Sequence, residues 1–385
     1  MSSVESVEEF RAEFRGWLRA HLTGGFADLR GRGGPGREHE AFAGRLAWER
    51  HMAEHGWTCV GWPVEYGGRG ASTAQQIAFH EEYALADAPA RVNHIGEQLL
   101  GPTLIAHGTD EQKRRFLPPV RAVEELWCQG YSEPDAGSDL AGVRTRAALR
   151  DGRWTVDGQK TWTSLAHEAQ WCFVLARTTP GSRRHAGLSY LLVPMDQPGV
   201  QVRPITQLTG TSEFNEVFFD GARTDAAHVV GAPGDGWAVA MATLGYERGV
   251  STLGQQVGFR RELEALAALA RANGALADPL IADRLTRAWT GLQAMRAAAL
   301  RPGTAPSTAK LYWARWHRDL GELAMDVCGA ASLTAAGVHG DPYEPDDWQR
   351  LFLFSRADTL YAGSDEIQRN IVAERILGLP KEVRA

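Results

Sequence analysis

Long apolar runs are missing from the sequence. No segment approaches the ~20 consecutive apolar residues that a membrane-spanning helix needs. Residues 1–10 are acidic and contain no apolar run, so they resemble neither a signal peptide nor a transit peptide. These features favour a cytoplasmic protein without membrane insertion.

An excess of basic residues is missing as well. The chain has 41 Lys and Arg residues against 47 Asp and Glu residues, a formal net charge of −6. A protein of this charge has no general attraction for nucleic acids or for anionic membranes. The composition therefore predicts no nucleic-acid partner.

Cysteines are few and widely spaced. Cys59, Cys128, Cys172 and Cys328 share no metal-ligand spacing. We expect free, buried thiols in a reducing compartment rather than disulfides, and the sequence predicts no metal site.

No G-x-G-x-x-G sequence follows a predicted strand, which disfavours a dinucleotide-binding sheet. Residues 126–226 contain instead short β-prone runs that Gly and Pro turns separate. Short strands without intervening helices are typical of an antiparallel sandwich or barrel.

Helical periodicity is present on both sides of this region, in residues 6–118 and 236–377. With 385 residues, the chain is too long for one small core. The order of elements predicts an α+β multidomain protein. Its expected parts are an N-terminal helical domain (1–122), a middle antiparallel β domain (123–232) and a C-terminal four-helix bundle (233–385).

Two motifs carry most of the functional information. The first is the loop YSEPDAGSD (131–139), which continues with GQKTWTS (158–164) and then the strand-like run of residues 171–177. The second is YAGSDEIQRN (361–370), which continues into AERILGLP (373–380). Pro and Gly in the first loop favour a tight turn and close backbone approach, and its serines offer hydroxyl groups to a polar ligand.

Both motifs resemble signature segments of the acyl-CoA dehydrogenase family, and GWPVEYGGRG (61–70) and residues 101–118 resemble further family segments. The resembling segments span essentially the whole chain, and they follow one another in the same order as in the family. It implies FAD-dependent dehydrogenation between the α and β carbons of an acyl thioester, with an electron-transfer flavoprotein as the electron acceptor.

The resemblance also implies roles for particular residues. An isolated Trp in a β domain usually belongs to the core, and Trp162 is assigned to the cofactor because of its motif. Ser138 is expected to contact the pantetheine arm of the substrate. The expected contacts of the FAD are Gln129, Tyr131 and Ser132 at the flavin edge, Trp162 beside the ring, Ser164 near its reactive nitrogen, and Ser364 and Glu366 on the nucleotide side.

The catalytic base needs separate treatment. Many family members carry a Glu directly after the Tyr of the second motif, but this position is Ala362, which has no side-chain proton acceptor. Other members place the Glu before an Arg on the helix after the β domain, and Glu247 and Arg248 match that pattern. Most helix carboxylates are simply solvated. Because Glu is absent at one site and present at the other, we expect Glu247 to remove the α-proton.

Two other groups complete the expected site. The backbone N–H of Ala362 is expected to hold the thioester oxygen. Arg248 is expected to lie near the acyl or pantetheine end of the substrate, or to anchor the helix through a carboxylate.

The family's Arg-x-x-Phe-Gly segment, which grips the FAD of a neighbouring subunit, is incomplete here. Residues 270–279 lack the Phe-Gly pair, and Arg271 is the candidate substitute. Because closed symmetric assembly is the commoner case, we expect a homo-oligomer, either a dimer or a tetramer, and the incomplete segment leaves a hetero-oligomer with a different subunit as the alternative. Two alternative functions stay open: a flavin oxidase or dehydrogenase of carrier-protein-bound thioesters, and a non-catalytic subunit of a hetero-oligomer.

Overall fold

The structure is a computed structural model that describes residues 6–247, 251–301, 305–334 and 344–381. The chain divides into two units. The first unit comprises Met1–Gln76, Asp87–Thr206 and Ser212–Glu247, and the second comprises Ile77–Ala86, Gln207–Thr211 and Arg248–Ala385. Among the described residues, no helix is both long and apolar enough to cross a membrane.

The first part of the chain is helical, as predicted. Ser6 is the N-cap of helix α1. Its hydroxyl accepts from the N–H of Glu9, and the Glu9 carboxylate accepts from the N–H of Ser6. This capping box satisfies two backbone donors at the helix start. The helices are α1 Val7–His21, α2 Phe42–Glu54, α3 Thr73–Leu85, α4 Gly101–His107 and α5 Asp110–Arg121.

An eight-stranded sheet follows, in the order β6-β7-β3-β2-β4-β5-β8, with β1 paired to β4. The strands are β1 Trp127–Gly130, β2 Arg146–Arg150, β3 Arg153–Ser164, β4 Trp171–Arg177, β5 Leu188–Pro194, β6 Val200–Ile205, β7 Phe214–Asp225 and β8 Val229–Val230. Most pairings are antiparallel, as predicted. Two pairings to β4, those of β1 and β2, are parallel, so the sheet is mixed.

Strand β4 is buried on both faces, as its continuous apolar run requires. Phe173 and Leu175 face one hydrophobic cluster, which includes Val239 of helix α6 Gly236–Glu247. Cys172 and Val174 face a second cluster on the opposite side of the sheet.

All four cysteines are free, as predicted. Cys59, Cys128 and Cys172 are buried, and Cys328 is half-buried.

The second unit contains the predicted four-helix bundle. Its core includes Phe259, Leu266, Leu292, Trp316 and Leu323, all of which are buried. The four long helices are α7 Ser251–Ala272, α8 Pro279–Leu300, α9 Pro306–Cys328 and α10 Asp347–Asp358, and the short α11 Asp365–Ile371 follows.

Candidate functional site

A buried ion pair in the first unit holds the loop of residues 131–139 against the sheet. Lys160 lies on β3, and its side chain is fully buried. Its Nζ donates to Oε1 of Glu133 at 2.9 Å and to the carbonyls of Tyr131 at 3.0 Å and Leu175 at 2.8 Å. One ammonium group thereby joins the loop to two strands.

Glu133 has further partners on the other side. Its carboxylate accepts from the N–H of Arg144 at 2.6 Å and from that of Thr145 at 2.8 Å. Burial by itself raises the pKa of Glu133, but the charge of Lys160 and these hydrogen bonds outweigh burial and hold the pKa below its ordinary value. Glu133 is therefore a carboxylate at neutral pH.

Trp162 lies in a β-bulge. Lys160 on β3 pairs with Val217 on β7, and Thr163 pairs with Asn215, so two residues of β3 lie opposite one residue of β7. Trp162 has a φ of 57° and is 58% exposed. A left-handed backbone at a bulky residue is strained, and bulges often redirect side chains beside binding sites. The bulge therefore presents a large apolar ring at the surface, as a flavin-stacking residue requires.

The loop and the bulge are joined directly. The N–H of Thr161 donates to the carbonyl of Ser132 at 2.9 Å, and Ser132 and Ser164 are both half-buried. Ser138, at the far end of the loop, is exposed. The structure thus brings Ser132 close to the strand that carries Trp162 and Ser164.

The side-chain amide of Gln129 is informative about whether these residues fit a flavin. Its Nε2 is buried and has no hydrogen-bond partner among the described residues. A buried donor without a partner is rare, because its desolvation costs free energy. The carbonyl and ring-nitrogen acceptors of an isoalloxazine are suitable partners for this amide, so Gln129 and Trp162 fit the expected cofactor.

In the second unit, the turn that follows α10 carries the second motif. Ala362 and Gly363 have φ values of 52° and 86°. Gln368 donates from Nε2 to the carbonyl of Ala362 at 3.0 Å. The N–H of Ala362 donates to no acceptor among the described residues, so it is a candidate donor to a ligand oxygen.

The remaining motif residues lie at the start of α11. Ser364 is its N-cap and accepts from the N–H of Ile367 at 3.4 Å. Asp365 is buried and accepts from Nε of Arg315 at 2.8 Å, whereas Glu366 is exposed. Ser364 therefore has a structural role whether or not it also contacts the cofactor.

Behind this turn lies a charged network that the sequence did not reveal. His317 of α9 contacts Oδ2 of Asp358 through Nδ1 at 2.5 Å and Oε2 of Glu262 through Nε2 at 3.0 Å. The hydroxyl of Tyr361 donates to Oδ1 of Asp358 at 2.5 Å. Burial by itself lowers the pKa of His317, but the charge of Glu262 and the hydrogen bonds to both carboxylates outweigh it and raise the pKa from 6.5 to about 10.

We expect His317→Gln to lower the free energy of unfolding by about 2 kcal/mol at pH 7, because it removes a charge-assisted hydrogen bond from buried Asp358. His317 binds a proton more tightly in the folded state, so its contribution is complete below pH 6.5 and is lost as the pH rises towards about 10. Urea unfolding measured across this pH window should show that the free energy of unfolding declines less with rising pH in the variant than in the natural chain. An equal decline would contradict a charged His317, and exposed His107→Gln is the control.

The expected base lies at the end of α6. The helix is fixed in the first unit by a hydrogen bond of 2.8 Å between the hydroxyls of Thr243 and Thr103, and Glu247 follows Thr243 by one helical turn. The side chain of Glu247 and the whole of Arg248 lie outside the described residues. Their roles therefore stay predictions.

Three family models match consecutive parts of the chain. The N-terminal domain of acyl-CoA dehydrogenases matches residues 5–124, the middle domain 128–222 and the C-terminal domain 234–377.

Relatives and solved structures agree with these matches. The chain is 65% identical to acyl-CoA dehydrogenase IpdE1 of Mycobacterium tuberculosis, over 99% of this chain and 100% of the relative. It is 63% identical to IpdE1 of Mycolicibacterium smegmatis, over 98% and 99%. The structure of the Tcur3481-Tcur3483 steroid ACAD superposes with a TM-score of 0.83 at 29% identity, covering 99% of this chain and 100% of that chain. The ChsE4-ChsE5 complex from Mycobacterium tuberculosis superposes with a TM-score of 0.80 at 29% identity, covering 99% and 100%.

The motifs, the mixed sheet between helical regions and the full-length relatives all agree. A glutaryl-CoA dehydrogenase of the same fold, from Mycobacterium smegmatis, was solved in complex with FADH2. This chain belongs to the acyl-CoA dehydrogenase family and is an FAD-dependent oxidoreductase.

Proposed function

We propose that this enzyme removes hydrogen from the α and β carbons of an acyl-CoA thioester, with Glu247 as the base that takes the α-proton. The observation that carries the proposal is the turn at Ala362. A non-glycine residue in the left-handed region costs about 1–2 kcal/mol, and such strain often marks functional sites. Among the residues that the structure describes, the Ala362 N–H has no acceptor, and its methyl side chain cannot take a proton, so we assign the base to Glu247.

Each of these groups has a separate role in the proposed reaction. The Ala362 N–H donates to the thioester oxygen and stabilises the negative charge that develops there as the α-proton leaves. Glu247 accepts that proton, and exclusion of water makes a carboxylate a stronger base. Ser138 and Arg248 position the thioester arm of the substrate.

The residues that would hold the isoalloxazine are Gln129, Tyr131, Ser132, Trp162 and Ser164, and those that would hold the nucleotide part are Ser364 and Glu366. Bound FAD would supply the acceptor for the hydride from the β-carbon, and an electron-transfer flavoprotein is the proposed acceptor of the electrons.

We infer that the acyl group is bulky. Ala362 leaves the space that a Glu side chain occupies in many family members. A relative in fold, the Tcur3481-Tcur3483 complex, is a steroid ACAD. Both points favour a ring-containing acyl group over a short linear one.

The assembly is proposed to contain a second, different subunit. The incomplete Arg-x-x-Phe-Gly segment supports this proposal, as do two related structures that are complexes of different chains. The chain purified alone should then be colourless or flavin-poor and should gain flavin absorbance when its partner is present. A flavin-saturated homo-oligomer from the chain alone would contradict the proposal.

The activity itself is tested by anaerobic bleaching of the flavin. With protein loaded with FAD, in the presence of its partner if the chain alone is flavin-poor, ring-containing acyl-CoA thioesters should bleach the flavin absorbance within seconds, and linear short-chain thioesters should bleach it more slowly. Failure of all acyl-CoA thioesters, with bleaching by carrier-protein-bound thioesters, would favour the carrier-dependent alternative. Stoichiometric peroxide in air, without reduction of an acceptor dye, would identify an oxidase.

A further inference from the structure

Three histidines meet where α1 and α2 end. His21 is the last residue of α1, His51 lies in the last turn of α2, and His55 is the C-cap of α2. One ring nitrogen from each lies within 4.8 Å of the other two. His51 and His55 are four residues apart, a spacing that places two side chains on the same face of a helix. We call these three residues the histidine cluster.

The hydrogen bond of His55 determines its tautomer. Its Nδ1 lies 2.9 Å from the carbonyl oxygen of His51, and a carbonyl can only accept. Nδ1 therefore carries a proton, and Nε2 is the nitrogen of His55 that offers a lone pair in the neutral imidazole. Histidines that bind metals are commonly oriented in this way, by a backbone carbonyl on the nitrogen that does not bind.

A carboxylate lies near His51. Oε2 of Glu54 is 3.6 Å from its Nδ1, beyond hydrogen-bond distance, and its negative charge favours a proton on Nδ1 and a lone pair on Nε2. That Nε2 lies 2.8 Å from Nδ1 of His21. A carboxylate behind an imidazole is the arrangement that fixes many zinc-binding histidines.

We propose that the histidine cluster binds a divalent transition-metal ion, with Zn²⁺ as the ion of best fit. The ligands are Nδ1 of His21, Nε2 of His51 and Nε2 of His55. Three imidazoles and an open fourth position suit tetrahedral Zn²⁺, and imidazole is poorly suited to Mg²⁺ or Ca²⁺.

The three side chains must adjust to bind an ion, because the His55 nitrogen lies within 4.8 Å of the other two rather than at the shorter spacing of bound ligands. With bonds of ~2.1 Å, two nitrogens of a tetrahedral ion lie about 3.4 Å apart. The facing nitrogens of His21 and His51 are 2.8 Å apart, so they must separate by about 0.6 Å. The ion takes the place of the proton that these two nitrogens share.

The indole of Trp17 packs against two of the three imidazoles. Trp17 stacks on His21 with 4.7 Å between ring centroids and on His51 with 5.8 Å. His55 is exposed, which leaves solvent access for an ion. A bound ion would fasten the end of α1 to the end of α2.

The test is isothermal titration of the chelator-treated, FAD-loaded protein with Zn²⁺. We expect about one ion per chain in the natural protein. His21→Ala and His55→Ala should each weaken binding by more than about 100-fold, and Glu54→Gln, which removes only the orienting carboxylate, by about tenfold. X-ray absorption at the zinc edge should report three nitrogen ligands at ~2.0–2.1 Å.

His107→Ala, at an exposed position outside the cluster, should bind Zn²⁺ like the natural protein, and Mg²⁺ should give no binding heat. Circular dichroism of each variant checks that α1 and α2 are still folded. Equal Zn²⁺ binding by the natural protein and the His21→Ala and His55→Ala variants would overturn the proposal. Absence of Zn²⁺ binding in the natural protein would overturn it too, and neither result bears on the dehydrogenase activity.

Discussion

Glu247→Gln is expected to lower kcat by about 10²–10⁴-fold, the usual contribution of a positioned general base. Gln has nearly the same shape as Glu but cannot accept the α-proton. Since FAD and substrate contacts involve other residues, the flavin content and the substrate dissociation constant should change little. Rapid-mixing measurement of flavin bleaching under anaerobic conditions reports the rate, and the flavin spectrum reports occupancy.

Glu264→Gln is the matched control, because Glu264 is an exposed carboxylate on α7. It should leave turnover within about twofold of the natural rate. Full turnover in the Glu247→Gln variant, with FAD bound, would show that the base lies elsewhere. Exchange of the α-hydrogen with deuterated solvent gives an independent readout, which should be slowed in parallel with turnover.

Local signals were sufficient to predict most helices and strands. The periodic apolar face of α1 and the acidic first turn of α5 place these helices where the structure has them. The parallel pairing of β1 with β4 was not predictable in this way, because it joins Trp127 to Trp171 across an intervening hairpin. Such pairing depends on tertiary packing rather than on local sequence.

In the candidate site, too, local motifs were predictable from the sequence and contacts between distant segments were not. Trp162 was identified from its motif, but its bulge and positive φ follow from the register between β3 and β7. The network around His317 was missed because Glu262 and Asp358 come from two other helices, 55 and 41 residues away. Contacts between residues so far apart leave no periodicity or local motif in the sequence. For the buried pair of Lys160 and Glu133 there was a weak sequence signal, because Lys160 is a cation inside a β-prone motif.

Lys160→Met is expected to have the largest effect on stability, lowering the free energy of unfolding by about 3–5 kcal/mol. Met fills a similar volume, but Glu133 keeps its charge in a buried position without its cationic partner. The three acceptors around Nζ favour the ammonium form of Lys160 in the natural protein, and Glu133 opposes the lowering of its pKa by burial. Urea unfolding of the flavin-free proteins at pH 7 measures the difference.

The Lys160–Glu133 pair also positions the loop that begins at Tyr131. Loss of the pair should therefore also affect the binding of the cofactor. We expect Lys160→Met to weaken FAD binding, which is measured by flavin release on dilution. Adding Glu133→Gln should recover part of the stability, because the uncompensated charge is removed while an amide oxygen still accepts from Arg144 or Thr145. Arg146→Met on the neighbouring strand removes an exposed cation 3.7 Å from Asp157 and should cost less than about 0.5 kcal/mol. Equal losses for Lys160→Met and Arg146→Met would mean that the buried pair does not hold the loop.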